Sequence, residues 1–305
     1  MLRQKTRVWS VRELMKFAID HLRRKGIAEA RLNVELLLSH ALGCQRIELY
    51  TNFDKPLSNR EMRAFRSLYE RRLNREPVQY IVGRTAFMGL QLSVDPRVLI
   101  PRPETETLVE QTMLVCGRLP HESSAEILEI GTGSGNIAVA LAKFVRNARI
   151  TAIDVSDAAL EVAGQNAALH HVEANISYQH MDVFEPVDQL ILRRFDIVVS
   201  NPPYVPPAEW DTLQQEIRKF EPRTALTDTE DGYGFLRRII ELAPYLVRDR
   251  GVILVEVGHG QAERVKDLME RAEFFGISVV PDLESIPRVV LGSCRSKTRN
   301  PGFVN

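Results

Sequence analysis

Ile127-Leu128-Glu129-Ile130-Gly131-Thr132-Gly133-Ser134-Gly135-Asn136-Ile137-Ala138 is the stretch on which the fold turns. A short apolar run, of the kind a strand buried on both faces carries, gives way to three glycines and then to a helix start. The glycines let the backbone turn tightly and approach a ligand closely. The loop then presents its N–H groups, and the helix start behind it favours a negative group such as a carboxylate. A second strand, read over 149–153, delivers Asp154 to the neighbouring strand tip, where its carboxylate can accept two ribose hydroxyls.

Outward from this stretch, strand and helix patterns alternate from Ala125 onward. Strands are expected at 126–130, 149–153, 176–180, 195–200, 252–257, 277–280 and 289–292. Helices are expected near 136–144, 158–169, 233–246 and 261–274. Such alternation predicts an α/β domain with a mostly parallel seven-stranded sheet and helices on both faces.

The front of the chain reads differently. Ser10 with Glu13, and Ser58 with Glu61, make capping boxes ahead of apolar residues at helical spacing: Val11, Leu14, Phe17, Ala18 and Leu22, then Phe65, Leu68, Tyr69 and Leu73. A helix between them runs over 29–42 and stops at Gly43. Arg60, Arg63, Arg66, Arg71, Arg72 and Arg75 read first as a solvated face and second as a docking surface for a partner. Two short strands are expected at 78–82 and 90–94, around Gly83 and Gly89. Pro96, Pro101 and Pro103 stiffen an extended stretch that leads to a helix starting near Thr105. The expected organisation is a helical domain over 1–75, a β-hairpin linker over 76–104 and an α/β domain over 105–305.

Composition narrows the function classes. Of 305 residues, 40 are basic and 40 acidic, so the chain is not built to coat nucleic acid through phosphate neutralisation. Cys44, Cys116 and Cys294 lie far apart with no C-x-x-C pair, which gives no support to zinc or a redox dithiol and fits a reducing cytoplasm. No apolar run reaches membrane-span length. The start, Met1-Leu2-Arg3-Gln4-Lys5-Thr6-Arg7, is basic but lacks the apolar stretch of a secretory signal.

The strand over 195–200 runs straight into Asn201-Pro202-Pro203-Tyr204. Ligands of an open parallel sheet sit at the carboxyl ends of its strands, and two prolines hold Asn201 rigid there. A planar nitrogen nucleophile has its lone pair delocalised into a carbonyl or ring and needs such a site. The Asn201 side-chain oxygen and the Pro202 carbonyl can accept both N–H bonds of an amide, orienting the nitrogen and favouring the positive charge that develops on it. Tyr204 can pack on the planar group.

These residues carry two resemblances. The G-x-G-x-G spacing, led by Glu129, departs from the G-x-G-x-x-G of dinucleotide enzymes and resembles the first motif of Rossmann-like methyltransferases. That implies S-adenosyl-L-methionine as cofactor, held by Gly131, Thr132, Gly133, Ser134 and Gly135, with Asp154 on the ribose, Asp182 and Val183 at the adenine and Asn201 beside the methyl donor. Second, Leu99-Ile100-Pro101-Arg102-Pro103-Glu104-Thr105-Glu106, the glycine loop, Asn201 to Tyr204, and Phe220-Glu221-Pro222-Arg223-Thr224-Ala225-Leu226 occur in that order. Together they resemble the protein-(glutamine-N5) methyltransferase family, in its branch acting on peptide chain release factors. The resemblance implies that the substrate is the glutamine of a Gly-Gly-Gln loop, that Asn201, Pro202, Pro203 and Tyr204 meet it, that the helical domain grips the partner, and that neither membrane nor sequence-specific nucleic acid is bound.

Four rivals share parts of this pattern, one of them a non-catalytic partner-binding protein on a methyltransferase fold, which the intact Asn201 argues against. An adenine-N6 nucleic-acid methyltransferase carries the same tetrapeptide but usually needs a basic target-recognition region. A sister branch methylates a glutamine of a ribosomal protein. An NAD-dependent oxidoreductase has the loop and the acid, but neither the glycine spacing nor Asn201 to Tyr204 fits one.

Overall fold

The computed structural model describes residues 8–119, 124–186, 194–228 and 230–297. The basic start, Met1 to Arg7, lies outside the described residues. The chain forms two compact units, one of residues up to Arg84 with Gln214–Phe220, the other of Thr85–Leu213 with Glu221 onward.

The first unit holds helices α1 (Val11–Arg24), α2 (Ala30–Leu42), α3 (Arg46–Thr51), α4 (Asn59–Leu73) and α5 (Val78–Val82). Both expected capping boxes form, at Ser10 with Glu13 and at Ser58 with Glu61. Val11, Leu14, Met15, Ala18 and Leu22 bury one stripe of α1. Phe17, expected in that stripe, is instead 49% exposed, its ring 5.3 Å from Trp9. Helix α2 is buried along most of its length and ends at Gly43 in the left-handed region.

The segment 78–82, expected as a strand, is a helical turn. Pro77 starts it, the Ile81 N–H bonds the Pro77 carbonyl, and Gly83 closes it at φ 72°. Val78, Ile81 and Val82 pack into the helical core, so tertiary burial overrides the β-preference of Val and Ile. The hairpin lies later, as β1 (Arg84–Phe87) and β2 (Leu90–Ser93). Met88 and Gly89 turn between them, both at positive φ, as a two-residue hairpin turn requires. From Thr85 the hairpin belongs to the second unit.

The second unit adds α6 (Thr105–Cys116), β3 (Ala125–Ile130), α7 (Asn136–Phe144), β4 (Ala148–Asp154), α8 (Asp157–His170), β5 (Ile176–His180) and β6 (Phe195–Ser200). After α9 (Gln215–Phe220), which joins the helical unit, come α10 (Gly234–Leu246), β7 (Val247–Glu256), α11 (Ala262–Arg271), β8 (Phe275–Pro281) and β9 (Pro287–Ser293). The seven-stranded sheet runs β5-β4-β3-β6-β7-β9-β8. All its pairs are parallel except those made by β9. Alternate residues feed opposite faces: Leu128, Ile130 and Val198 join one apolar cluster with α10 and α11, while Ile127, Ile197 and Val199 join another with α6 and α7. The order reverses between β3 and β6, and that opens a crevice outside their carboxyl ends.

Candidate active site

The glycine loop leaves β3 at the crevice. Gly131 and Thr132 both donate to the Ile153 carbonyl, tying the loop to the tip of β4. Gly135 sits at φ 77°, and a Cβ there would lie 2.9 Å from that of Ala163, so only glycine lets α7 and α8 close behind the loop. Thr132 and Ser134 are each 1% exposed, their hydroxyls donating to Glu129 at 2.8 Å and to the Asn136 side-chain oxygen at 3.3 Å. Asn166, fully buried on α8, donates to the carbonyls of Ser134 and Ser93 and accepts from the Ser93 N–H, welding loop to hairpin.

Asp154 closes β4 with one carboxylate oxygen 2.9 Å from the Gly133 N–H and the other 2.9 Å from the Ser156 N–H. Burial raises its pKa, while the N–H donors of Gly133, Ser156 and Val155 act against the rise. Beneath the loop, Glu129 is fully buried; its Oε2 accepts from the Thr132 hydroxyl at 2.8 Å, and Oε1 has no partner among the described residues. Burial pushes this carboxyl up to about 8, and Asp154 adds to the push. Asp182 follows β5 and accepts from the Phe184 N–H. Val183 is 5% exposed and packs into the core; Phe184, beside it, stands 50% exposed with its ring edge-on to Phe235.

Strand β6 brings Asn201 to the same crevice. The Ser200 hydroxyl donates to the Ile130 carbonyl at 2.8 Å, so the tips of β6 and β3 are latched. The Asn201 side-chain NH2 donates to the Thr105 hydroxyl at 3.0 Å, which leaves its oxygen for a ligand. Pro202 is buried. Tyr204 is held at both ends: its hydroxyl donates to Glu256 at 3.3 Å, and its carbonyl accepts from the Gln261 side chain at 3.0 Å. Gly232, at φ 82°, leaves room for that carbonyl, which a Cβ would meet at 2.6 Å.

The tracts singled out by sequence converge here. Glu221, 6% exposed, accepts from the Ile100 N–H at 3.2 Å and from Arg102 at 2.6 Å. The Val205 N–H bonds the Leu226 carbonyl, and Val205 bridges Thr227. Thr105, Glu221, Asn166, Glu256 and Gln261 were not assigned roles from sequence. Thr105 and Glu221 stood inside the quoted tracts; the other three carry no local signal.

Comparison with known proteins places this geometry. Family models match residues 13–83 (PrmC N-terminal domain) and 107–220 (methyltransferase small domain). A release factor glutamine methyltransferase of Geobacter sulfurreducens is 43% identical, covering 95% of this chain and 98% of that protein. One of Chlorobaculum tepidum is 44% identical over 92% and 96%. The chain belongs to the release factor glutamine methyltransferase family. Among solved structures, the catalytic domain of hMettl16 in complex with MAT2A 3'UTR hairpin 6 matches with TM-score 0.55 at 15% identity, over 70% of this chain and 78% of that one. A human methyltransferase 10 domain containing protein matches at TM-score 0.50 and 15% identity, over 67% and 88%. These two carry the Rossmann-like methyltransferase fold alone. The chain is thus a methyltransferase with S-adenosyl-L-methionine as its methyl donor, and the orphaned, buried Glu129 Oε1 beside the glycine loop fits the ammonium group of that donor.

Proposed function

We propose that the protein methylates the side-chain amide nitrogen of the glutamine in the Gly-Gly-Gln loop of peptide chain release factors. One observation carries this reading: at the tip of β6, Asn201 spends its NH2 on Thr105 and keeps its oxygen as an acceptor. An amide NH2 needs acceptors, and the Asn201 oxygen with the Pro202 carbonyl supplies two.

Glu129, Gly131 to Gly135 and Asp154 would hold S-adenosylmethionine, with Asp182 and Val183 toward the adenine. When bound, it supplies an electrophilic methyl group on a sulfonium centre. The chain's own residues supply orientation. Asn201 and Pro202 fix the glutamine nitrogen in the near-attack range of about 3–3.5 Å. Their hydrogen bonds strengthen as positive charge grows on that nitrogen. No strong base is required, because an amide carrying a fourth substituent on nitrogen is acidic and sheds its proton to solvent. Tyr204 packs on the amide plane.

The helical unit is the part that grips the protein partner, and the balanced charge argues against a nucleic-acid substrate. None of the helices among the described residues is long and apolar enough to cross a membrane. With Cys44, Cys116 and Cys294 all free thiols, we place the reaction in the cytoplasm. The test is to incubate the protein with labelled S-adenosylmethionine and candidate release factors, then map the label by mass spectrometry. Label on the Gly-Gly-Gln glutamine is expected. Label on a ribosomal-protein glutamine alone, or on adenine alone, overturns the reading.

A further inference from the structure

Gln261 stands at the N-terminal cap of α11 and is 8% exposed, yet its side chain makes no capping bond. Helix starts favour Ser, Thr, Asp or Asn, whose short side chains reach the first free N–H groups. The glutamine is engaged elsewhere. Its Oε1 accepts from the Gly258 N–H at 2.8 Å, while its Nε2 donates to the Tyr204 carbonyl at 3.0 Å and to the Gly232 carbonyl at 3.3 Å. One amide thus ties together three backbone segments: the exit from β7, the loop after β6 and the loop before α10. Only one orientation of that amide satisfies all three partners, because a carbonyl cannot donate and a backbone N–H cannot accept.

The surroundings are fitted to it. A Cβ at Gly258 would lie 2.9 Å from Gln261 Oε1 and 3.0 Å from the Tyr204 ring. The loop before α10 is itself fixed by Asp228, 5% exposed, whose carboxylate accepts from the N–H groups of Glu230, Gly232 and Gly234. The Gln261 amide is therefore braced on two sides, and its third bond goes to Tyr204.

We propose that Gln261 is a positioning residue for the methyl transfer, which by pinning the Tyr204 carbonyl holds the Tyr204 ring against the plane of the glutamine amide. This rests on the role given to Tyr204 above. Gln261 binds that residue at its carbonyl and Glu256 binds it at its hydroxyl, so the ring is fixed from both ends. Releasing the backbone end lets the ring tilt, and the glutamine nitrogen loses its near-attack alignment. The bonds of the Gln261 side chain do not touch Gly131 to Gly135 or Asp154, so the loss falls on kcat and spares cofactor binding.

The experiment is a double-mutant cycle in the full chain, read as kcat at saturating substrates. Gln261→Met keeps the length of the side chain and removes its donors. It should lower kcat roughly 10-fold, the effect of about one neutral hydrogen bond, and leave the KM for S-adenosylmethionine at the parental value. In a Tyr204→Leu background, which has no ring to hold, the same substitution should cost less than about 2-fold. Parental kcat in Gln261→Met, an effect on KM alone, or a full 10-fold loss that persists beside Tyr204→Leu each overturn the proposal. If Gln261→Met fails to fold, Gln261→Glu carries the cycle, since it keeps the acceptor for Gly258 and loses both donors. Without substrate, the Tyr204 ring 13C–1H signals, assigned with Tyr204→Phe, should shift in either Gln261 variant, and unmoved signals overturn the clamp. A parent that leaves glutamine unmodified overturns the functional reading instead, and the Tyr204 signals still decide the clamp.

Discussion

Asn201 and Thr105, 96 residues apart in sequence, meet through a 3.0 Å hydrogen bond from the asparagine side-chain nitrogen to the threonine hydroxyl. The bond orients a side chain at the tip of β6 whose oxygen can accept an amide proton. It also makes the first residue of α6 part of a site otherwise built from the sheet.

Replacing Asn201 by Ala should cut kcat by roughly 10²–10³, the effect of losing one preorganised hydrogen bond to developing charge. Binding of S-adenosylmethionine should change little. Single-turnover rates and calorimetry on the same preparation check both halves; near-parental turnover would remove Asn201 from the mechanism.

Asp154 holds the glycine loop through Gly133 and faces the crevice from β4. Asp154→Ala should weaken S-adenosylmethionine binding by about 1–3 kcal/mol, or roughly 5- to 150-fold in Kd. Titration calorimetry giving an unaltered Kd would take Asp154 out of the cofactor site.

Glu129 and Glu256, raised to about 8 and about 7, titrate near 4.3 in an unfolded chain. Between those values the folded protein keeps protons that the unfolded chain has released, so their contribution is full below about pH 4.3 and fades as pH rises through 7 and 8. Glu61, held at about 2 by the Ser58 N–H and hydroxyl, acts in the opposite sense and only at acid pH. Urea midpoints of the cofactor-free protein should fall from about pH 5 to 8, with a slope approaching ~1.4 kcal/mol per pH unit per group. Glu129→Gln should flatten the upper part of that decline. A slope identical in the variant would show that Glu129 is not the source.

Glu216, on α9, pairs with Arg72 at 3.1 Å and with Arg75 at 3.3 Å inside the helical unit. Arg72 is also bound by Asn33 and is 5% exposed. Glu216→Ala should destabilise that unit by about 2–4 kcal/mol, because it strands a buried guanidinium charge. Hydrogen exchange in α2 and α4 should speed up while cofactor affinity stays at the parental value. Unchanged protection there would mean the pair contributes nothing.

Local pattern carried much of the design. Capping boxes, helical spacing in α1 and α4, buried β-branched runs and the glycine loop each act within a few residues. The sequence alone therefore determined the seven-stranded, mostly parallel class, the helical front and the crevice residues Gly131 to Gly135, Asp154 and Asn201 to Tyr204. The tertiary structure decided what local rules cannot reach. Val78 to Val82 have strand-forming side chains but form a helical turn, because burial among α2 and α4 outweighs intrinsic preference. Gln215–Phe220 joins a unit whose other residues end at Arg84. Thr105, Glu256 and Gln261 hold the loop from Asn201 to Tyr204, and Glu221 holds Ile100 and Arg102, through side-chain bonds spanning 52 to 121 residues. A hydrogen bond across such distances depends on strand order and register, and neither is written in any one segment of the chain.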